Sequence, residues 1–156
     1  MKIETGSIAP EFSLYNSEKN KVSLSDYKGK NVLLLFFPLA FTGTCTKELC
    51  GVRDNISYYN NSNAEVLGIS VDSVYALAKY KDEQRLNFSL LSDFNKEVSA
   101  AYGSLYTIFG FNMQGVSKRS AFVIDKAGLV RYAEVLENAS DIPDFDVIHK
   151  ILSKYN

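Results

Sequence analysis

One stretch of the chain joins an apolar run to a helical pattern: NVLLLFF at residues 31–37, then PLAFTGTCTKELC at residues 38–50. A short, continuous apolar run that ends at a proline is typical of a strand buried on both faces. Beyond it, apolar side chains recur every three or four residues, which is the spacing of one helix face. They are Cys45, Leu49, Val52, Ile56 and Tyr59. We therefore predict a buried strand, a short loop and a helix whose first turn contains Cys45.

The predicted position of Cys45 has a chemical consequence. The first N–H groups of a helix have no partner within the helix and carry the positive end of its dipole. Negative charge is favoured there, and the thiolate is the nucleophilic form of cysteine. The alternative is that Cys45 is a small apolar residue that fills the seam between helix and sheet. The spacing by itself leaves both interpretations open.

The residues around Cys45 resemble a known family. Pro38, Thr42 and Cys45 form the pattern Pro-x-x-x-Thr-x-x-Cys, which resembles the active-site loop of the peroxiredoxins, thiol peroxidases with a thioredoxin-like fold. Arg119 lies in KRSAFVID at residues 118–125, which resembles a later strand of that family whose arginine reaches back to the peroxidatic cysteine. The resemblance extends from about Gly6 to the C-terminal segment. It implies an enzyme that reduces hydrogen peroxide and organic hydroperoxides.

Peroxide reduction needs fixed donors as well as a thiolate, because the leaving oxygen develops negative charge. The candidates are the Thr42 hydroxyl, the backbone N–H groups near Cys45 and the Arg119 guanidinium. Pro38, which lacks an N–H, is expected to shape one wall of the pocket. Glu48, one helical turn beyond Cys45, is expected to orient Arg119. The alternatives are a strand-edge salt bridge for Arg119 and a solvated helix position for Glu48.

The second cysteine is Cys50, and its spacing from Cys45 resembles the bacterioferritin-comigratory, or Q-type, branch of the peroxiredoxins. That resemblance implies that Cys50 resolves a Cys45 sulfenic acid as an intramolecular disulfide, which thioredoxin or a similar dithiol then reduces. Five residues along a helix separate two Cα atoms by about 8 to 9 Å, whereas a disulfide requires less than about 7 Å. The first turns of the helix must therefore unwind, and Gly51 favours that opening.

The loop that precedes Cys45 points to an alternative. LAFTG at residues 39–43 resembles the alkyl-hydroperoxide-reductase E type, whose members often lack the second cysteine and use an external thiol. A one-cysteine peroxidase is therefore the alternative route. Two further classes are a disulfide oxidoreductase, which would need Cys-x-x-Cys, and a non-enzymatic redox sensor or chaperone that uses the aromatic residues Phe109 and Phe111.

Length and charge agree with a compact enzyme. The 156 residues fit one domain, residues 1–156. The net charge is -1, from 17 basic and 18 acidic residues, which gives no electrostatic reason to expect nucleic acid or an anionic membrane as a partner. No apolar run reaches 18 residues and Met1–Thr5 does not resemble a leader, so we expect a cytoplasmic protein. A monomer and a homodimer are both compatible with the composition.

Neither a metal nor a cofactor is predicted. Two cysteines and the lone histidine, His149, fall short of the four ligands of a structural zinc site. In a reducing compartment, two cysteines indicate catalytic or transient pairing rather than a structural disulfide. His149 lies in an amphipathic C-terminal pattern, and we predict that it is a surface residue rather than a partner of Cys45.

The rest of the chain predicts an α/β, thioredoxin-like fold: a mixed central sheet with helices on both faces and an N-terminal hairpin. A strand over 64–71 is expected to run parallel to the strand over 31–37, and a helix over 74–85 to lie on the opposite face from the cysteine helix. Residues 102–116 have little regular pattern, which suggests a binding or interface role. The remaining predicted elements are a hairpin over 12–24, a strand over 88–93, a helix over 96–102, a hairpin over 121–135 and a helix over 142–155.

Overall fold

The structure, a computed structural model, describes residues 2–156. The strands are β1 (Ser13–Asn16), β2 (Lys21–Ser23), β3 (Asn31–Phe36), β4 (Ala64–Ser70), β5 (Ser89–Ser92), β6 (Ile108–Phe109), β7 (Met113–Gln114), β8 (Ser120–Ile124) and β9 (Val130–Val135). The helices are α1 (Gly43–Asp54), α2 (Ile56–Asn61), α3 (Val74–Gln84), α4 (Glu97–Ala101) and α5 (Phe145–Tyr155). Single 3₁₀ turns span Leu24–Tyr27 and Gly110–Asn112.

Seven strands form one mixed sheet in the order β2-β1-β5-β4-β3-β8-β9. The central strand, β3, runs parallel to β4 and antiparallel to β8, and all six of its residues are buried. Alternate side chains of β3 enter the two hydrophobic clusters that cover the sheet, Leu33 and Leu35 on one face and Leu34 and Phe36 on the other. The buried strand, its parallel neighbour and the mixed sheet are confirmed.

The helices cover both faces, but not as predicted for α3. Leu77 and Tyr80 of α3 belong to the same cluster as Cys45 and Leu49 of α1, so the prediction that these helices lie on opposite faces is wrong. The reason is the handedness of crossover connections. The chain steps from β3 to β4 and on to β5 in the same direction, and two successive right-handed crossovers place their helices on one face. Val98 of α4 lies on the other face.

Both predicted hairpins are present. β1 pairs antiparallel with β2, and β8 pairs antiparallel with β9. Residues 102–116 are more regular than predicted, because they contain the small antiparallel pair β6 and β7. Strands of two residues are too short for alternation to be visible in a sequence. No helix among residues 2–156 is both long and apolar enough to cross a bilayer.

The register of the sheet places Arg119 near the loop that precedes α1. Phe36, the last residue of β3, pairs with Ser120, the first residue of β8. Arg119 therefore lies beside the end of β3, close to the loop that leads into α1. Parallel β3 and β4 also end on this side of the sheet, which brings the residues that follow each strand together.

Candidate active site

Cys45 is the third residue of α1 and lies in its first turn, as predicted. Thr42 is the N-cap residue, in extended conformation, and its carbonyl accepts the first helical hydrogen bond, from the Thr46 N–H at 3.0 Å. The Cys45 side chain is 1% exposed and carries a free thiol. Cys45 thus packs in the seam between α1 and the sheet and also lies at the positive end of a helix, so both sequence interpretations describe its position.

Arg119 contacts Cys45 directly. Its Nη2 donates to Cys45 Sγ at 3.2 Å and to the Ala139 carbonyl at 3.0 Å, and its Nη1 donates to Glu48 Oε1 at 2.8 Å. Arg119 is fully buried, which differs from the strand-edge salt bridge considered above. The contact places a buried, positively charged donor directly on the Cys45 sulfur.

Glu48 is buried rather than solvated, with an exposed fraction of 2%. Burial raises the pKa of Glu48 from 4.5 to about 7, and the ion pair and hydrogen bond with Arg119 offset only part of that effect. Burial also opposes the charge of Arg119, but Glu48 and Cys45 outweigh it, so the pKa of Arg119 lies above its ordinary value. Glu48 Oε2 has no hydrogen-bond partner among the described residues. Arg119 is therefore charged and held on one side by Glu48.

The loop before α1 shapes the approach to Cys45. Pro38 is buried, whereas Thr42 is exposed at the mouth of the site. Thr42 Oγ1 donates its only proton to the Leu39 carbonyl at 2.8 Å, which leaves its lone pairs available as acceptors. Phe41 has a left-handed backbone (φ 67°), and its half-exposed ring packs edge-on against Tyr80.

Cys50 lies five residues beyond Cys45 on the same continuous helix, and it too is a free thiol. It is partly buried against the core, and its Sγ donates to Gln84 Oε1 of α3 at 3.5 Å. The main chain of Gln84 also accepts from Arg53 Nη1 at 2.6 Å. The structure therefore describes the reduced, fully helical arrangement, in which the two sulfurs have different partners.

His149 is not the surface residue that the sequence suggested. It is partly buried, its ring stacks on Tyr58 with centroids 4.2 Å apart, and its Nε2 lies 3.2 Å from the Tyr59 hydroxyl. The prediction was wrong because α2 places two consecutive tyrosines against α5. Residues 2–156 contain no cluster of three or more metal-ligating side chains.

Sequence reasoning missed one part of the site, the Ala139 carbonyl that accepts from Arg119. It belongs to the segment between β9 and α5. A main-chain carbonyl carries no signature in the sequence, because every residue has one. Only the path of the backbone after β9 places this acceptor beside the guanidinium.

Comparisons with known proteins agree with this geometry. Residues 5–133 match the AhpC/TSA family. Alkyl hydroperoxide reductase E of Mycobacterium tuberculosis is 40% identical over 137 residues, which cover 85% of this chain and 86% of that protein. The crystal structure of peroxidoxin BcpB from the same organism has a TM-score of 0.87 at 30% identity and covers 99% of both chains. The mitochondrial 2-Cys peroxiredoxin of Plasmodium falciparum has a TM-score of 0.81 at 31% identity, over 97% of this chain and 93% of that one.

The chain therefore belongs to the AhpC/TSA family, the peroxiredoxins, and is a thiol-dependent peroxidase with a thioredoxin-like fold. The resemblance described above is confirmed at the level of family, fold and enzyme class. Because the chain is a peroxidase, its primary function is neither that of a disulfide oxidoreductase nor that of a purely non-enzymatic redox sensor or chaperone.

Proposed function

We propose that Cys45 is the peroxidatic nucleophile of this peroxidase. The observation that carries the proposal is the 3.2 Å hydrogen bond from Arg119 Nη2 to Cys45 Sγ at the N-terminus of α1. Two sources of positive potential, the guanidinium and the helix end, act on one sulfur. Cys50 is the eighth residue of α1, away from the N-terminus of the helix, and its hydrogen bond is to a neutral amide oxygen.

In the proposed first step, the Cys45 thiolate attacks one peroxide oxygen. An S–O bond forms and the O–O bond breaks, so two electrons pass from sulfur to the leaving oxygen, which takes up a proton. Arg119 stabilises the charge on that oxygen. Thr42 Oγ1, whose own proton goes to the Leu39 carbonyl, accepts the hydrogen bond of the peroxide O–H. Pro38 excludes water from one wall, and Glu48 orients Arg119.

In the proposed second step, Cys50 attacks the sulfur of the Cys45 sulfenic acid. The S–S bond forms, the S–O bond breaks, and the hydroxyl leaves as water after protonation. An ideal helix holds the two Cα atoms about 8 to 9 Å apart, so α1 unwinds locally before this step. A dithiol such as thioredoxin then reduces the disulfide by exchange. The second candidate, a one-cysteine cycle with an external thiol, is favoured by the packed, hydrogen-bonded position of Cys50 on an intact helix.

Intact mass and free-thiol count after one equivalent of hydrogen peroxide test both steps, on the wild type and on Cys50→Ala. The two-cysteine route requires that the wild type loses two hydrogens and both thiols, while Cys50→Ala stops at a sulfenic acid on Cys45. If the wild type also stops at the sulfenic acid, an external thiol completes the cycle. Absence of fast oxidation at Cys45 in both proteins would defeat its assignment as the nucleophile, and Cys45→Ser serves as the inactive control.

The domain and cellular assignments are part of the same proposal. We expect residues 1–156 to act as one domain, because both hydrophobic clusters pack on a single sheet. Two free cysteines, one of them partly exposed, suit a reducing compartment such as the cytoplasm.

A further inference from the structure

A single peptide group, between Leu39 and Ala40, is held at both ends by side chains. Its N–H, which belongs to Ala40, donates to Asp72 Oδ2 at 2.8 Å. Its carbonyl, which belongs to Leu39, accepts from Thr42 Oγ1 at 2.8 Å. Because a peptide group is planar and rigid, these two hydrogen bonds form one continuous connection from Asp72 to the Thr42 hydroxyl.

Asp72 is itself fixed to the sheet. Ser70 Oγ, at the fully buried end of β4, donates to the same Oδ2 atom at 2.6 Å. The Asp72 main-chain carbonyl accepts from Ser92 Oγ, at the end of β5, at 2.6 Å. Asp72 is thus tied to the end of β4 through its carboxylate and to the end of β5 through its main-chain carbonyl, and the carboxylate contacts the loop before α1 through the Ala40 N–H.

The loop needs such an anchor. Phe41, next to Ala40, has a left-handed backbone conformation that costs free energy for a residue with a large side chain. The anchored peptide group holds the backbone on one side of this residue, and the start of α1 holds it on the other. Without Asp72, the Leu39 carbonyl would be free to rotate away from Thr42.

The connection is also electronic. A hydrogen bond to a charged acceptor is stronger than one to a neutral acceptor, and chains of hydrogen bonds polarise one another. A carboxylate on the N–H end of the amide makes the Leu39 carbonyl a stronger acceptor. The Thr42 hydroxyl then keeps its proton directed at Leu39 and its lone pairs directed outward.

We propose that Asp72 is a positioning residue for peroxide reduction, which holds the Leu39–Ala40 peptide group and thereby sets the orientation of the Thr42 hydroxyl. The inference rests on the proposed role of Thr42 as the acceptor of the peroxide O–H. Asp72 contacts neither Cys45 nor Arg119 in its hydrogen bonding, and its effect on the reaction passes through Thr42.

A double-mutant cycle tests this connection, in a Cys50→Ala background so that one thiol reacts. The variants are Asp72→Ala, Asp72→Asn, Thr42→Val and the two combinations with Thr42→Val. Two rates are measured for each: oxidation of Cys45 by hydrogen peroxide and alkylation of Cys45 by iodoacetamide. Iodoacetamide needs the thiolate but no acceptor at Thr42, so it reports damage that does not pass through the hydroxyl.

We expect Asp72→Ala to slow oxidation about tenfold, the effect of one lost hydrogen bond, and to change alkylation less than twofold. Asp72→Asn retains an acceptor oxygen and loses only the charge, so its oxidation rate is expected to fall about threefold. In the Thr42→Val background neither Asp72 variant should slow oxidation further, because the group that Asp72 positions is gone.

Three results would overturn the inference and leave the role of Thr42 intact. These are equal losses in oxidation and alkylation, a full Asp72 effect in the Thr42→Val background, and an unchanged oxidation rate in both Asp72 variants. If Asp72→Ala does not fold, as judged by circular dichroism, Asp72→Asn carries the same comparison. A Thr42→Val variant that oxidises at the wild-type rate overturns the role of Thr42 and this inference with it. If Cys45 does not react with peroxide in the Cys50→Ala parent or in any of its variants, the proposed function itself fails.

Discussion

Arg119 Nη1 and Glu48 Oε1 lie 2.8 Å apart in an ion pair whose side chains are 2% and 0% exposed. Removing two charges from water is costly, and their attraction repays that cost only with good geometry and further hydrogen bonds. Here the guanidinium has two more acceptors, Cys45 Sγ and the Ala139 carbonyl. The ion pair thus places a fixed cation beside the Cys45 sulfur, the nucleophile that we propose.

Replacement of Arg119 by lysine tests the fork geometry. Arg119→Lys retains the positive charge, but one ammonium group cannot reproduce the planar fork that contacts sulfur, carboxylate and carbonyl together. We expect the rate constant of Cys45 oxidation by hydrogen peroxide to fall by about 10²- to 10³-fold, measured by rapid mixing. Arg131→Lys, which alters a partly exposed ion pair with Asp125, is the matched control and should react at the wild-type rate. A wild-type rate in Arg119→Lys would mean that charge alone suffices.

Titration of Glu48 predicts a pH dependence of stability. Its pKa is raised from 4.5 to about 7 by burial, only partly offset by Arg119, so the folded protein binds this proton more tightly than the unfolded chain does. The stabilisation is complete below pH 4.5 and is lost as pH rises to 7, which amounts to about 3 kcal/mol at 1.36 kcal/mol per pH unit. Urea unfolding of the wild type and of Glu48→Gln, carried out at several pH values from 4.5 to 8, measures this loss of unfolding free energy.

The expected signature is a difference in unfolding free energy, wild type minus Glu48→Gln, that decreases between pH 4.5 and 7. The glutamine has no proton to lose there, so other titrating groups cancel in the comparison. A difference that stays flat would show that folding does not raise the pKa of Glu48.

Gly51 allows a test of helix unwinding. A Cβ atom at Gly51 would meet no atom within 4 Å, so alanine fits without strain. Gly51→Ala stabilises the helix by about 1 kcal/mol, and we expect disulfide formation between Cys45 and Cys50 to slow up to about fivefold, with an unchanged rate of sulfenic acid formation. Acid quenching followed by mass spectrometry separates the two steps. Gly110→Ala is the control, since a Cβ atom at Gly110 would also meet no atom within 4 Å and Gly110 lies outside α1. Equal rates of disulfide formation in the wild type and both variants would show that helix unwinding does not limit disulfide formation.

His149 is predicted to matter for stability and not for catalysis. His149→Ala removes the stacking on Tyr58 and the hydrogen bond to the Tyr59 hydroxyl, and we expect the unfolding free energy to fall by about 1 to 2 kcal/mol. The rate of Cys45 oxidation should stay within twofold of the wild type. His149→Phe retains the stacking and should recover part of the stability. A large loss of rate with intact stability would restore the hypothesis of a Cys-His pair.

The local part of the fold was predictable because spacing along a chain encodes the faces of an element. The run at residues 31–37 indicated β3, and the three- and four-residue intervals after Cys45 indicated α1. The face on which α3 lies was predicted wrongly, although the direction of the two crossovers determines it once the strand order is known. Strand order is a long-range property that periodicity does not contain.

In the candidate active site, too, the local features were predictable from spacing and the long-range contacts were not. By itself, the sequence determined that a cysteine lies in the first turn of a helix after a buried strand, with Thr42 and Glu48 at positions near it. Arg119 is 74 residues from Cys45 along the chain, and a family resemblance, not spacing, singled it out. The register that pairs Phe36 with Ser120 is what brings the two together.

Only the tertiary structure decided three features: the burial of Glu48, the Ala139 carbonyl on Arg119, and the connection from Asp72 to Thr42. The physical reason is common to all three. Burial and main-chain hydrogen bonds depend on which distant segments pack together, and a carbonyl or an N–H is the same group in almost every residue. The sequence therefore determines which side chains are available for the proposed chemistry, and the packing of β3, β4 and β8 determines their partners.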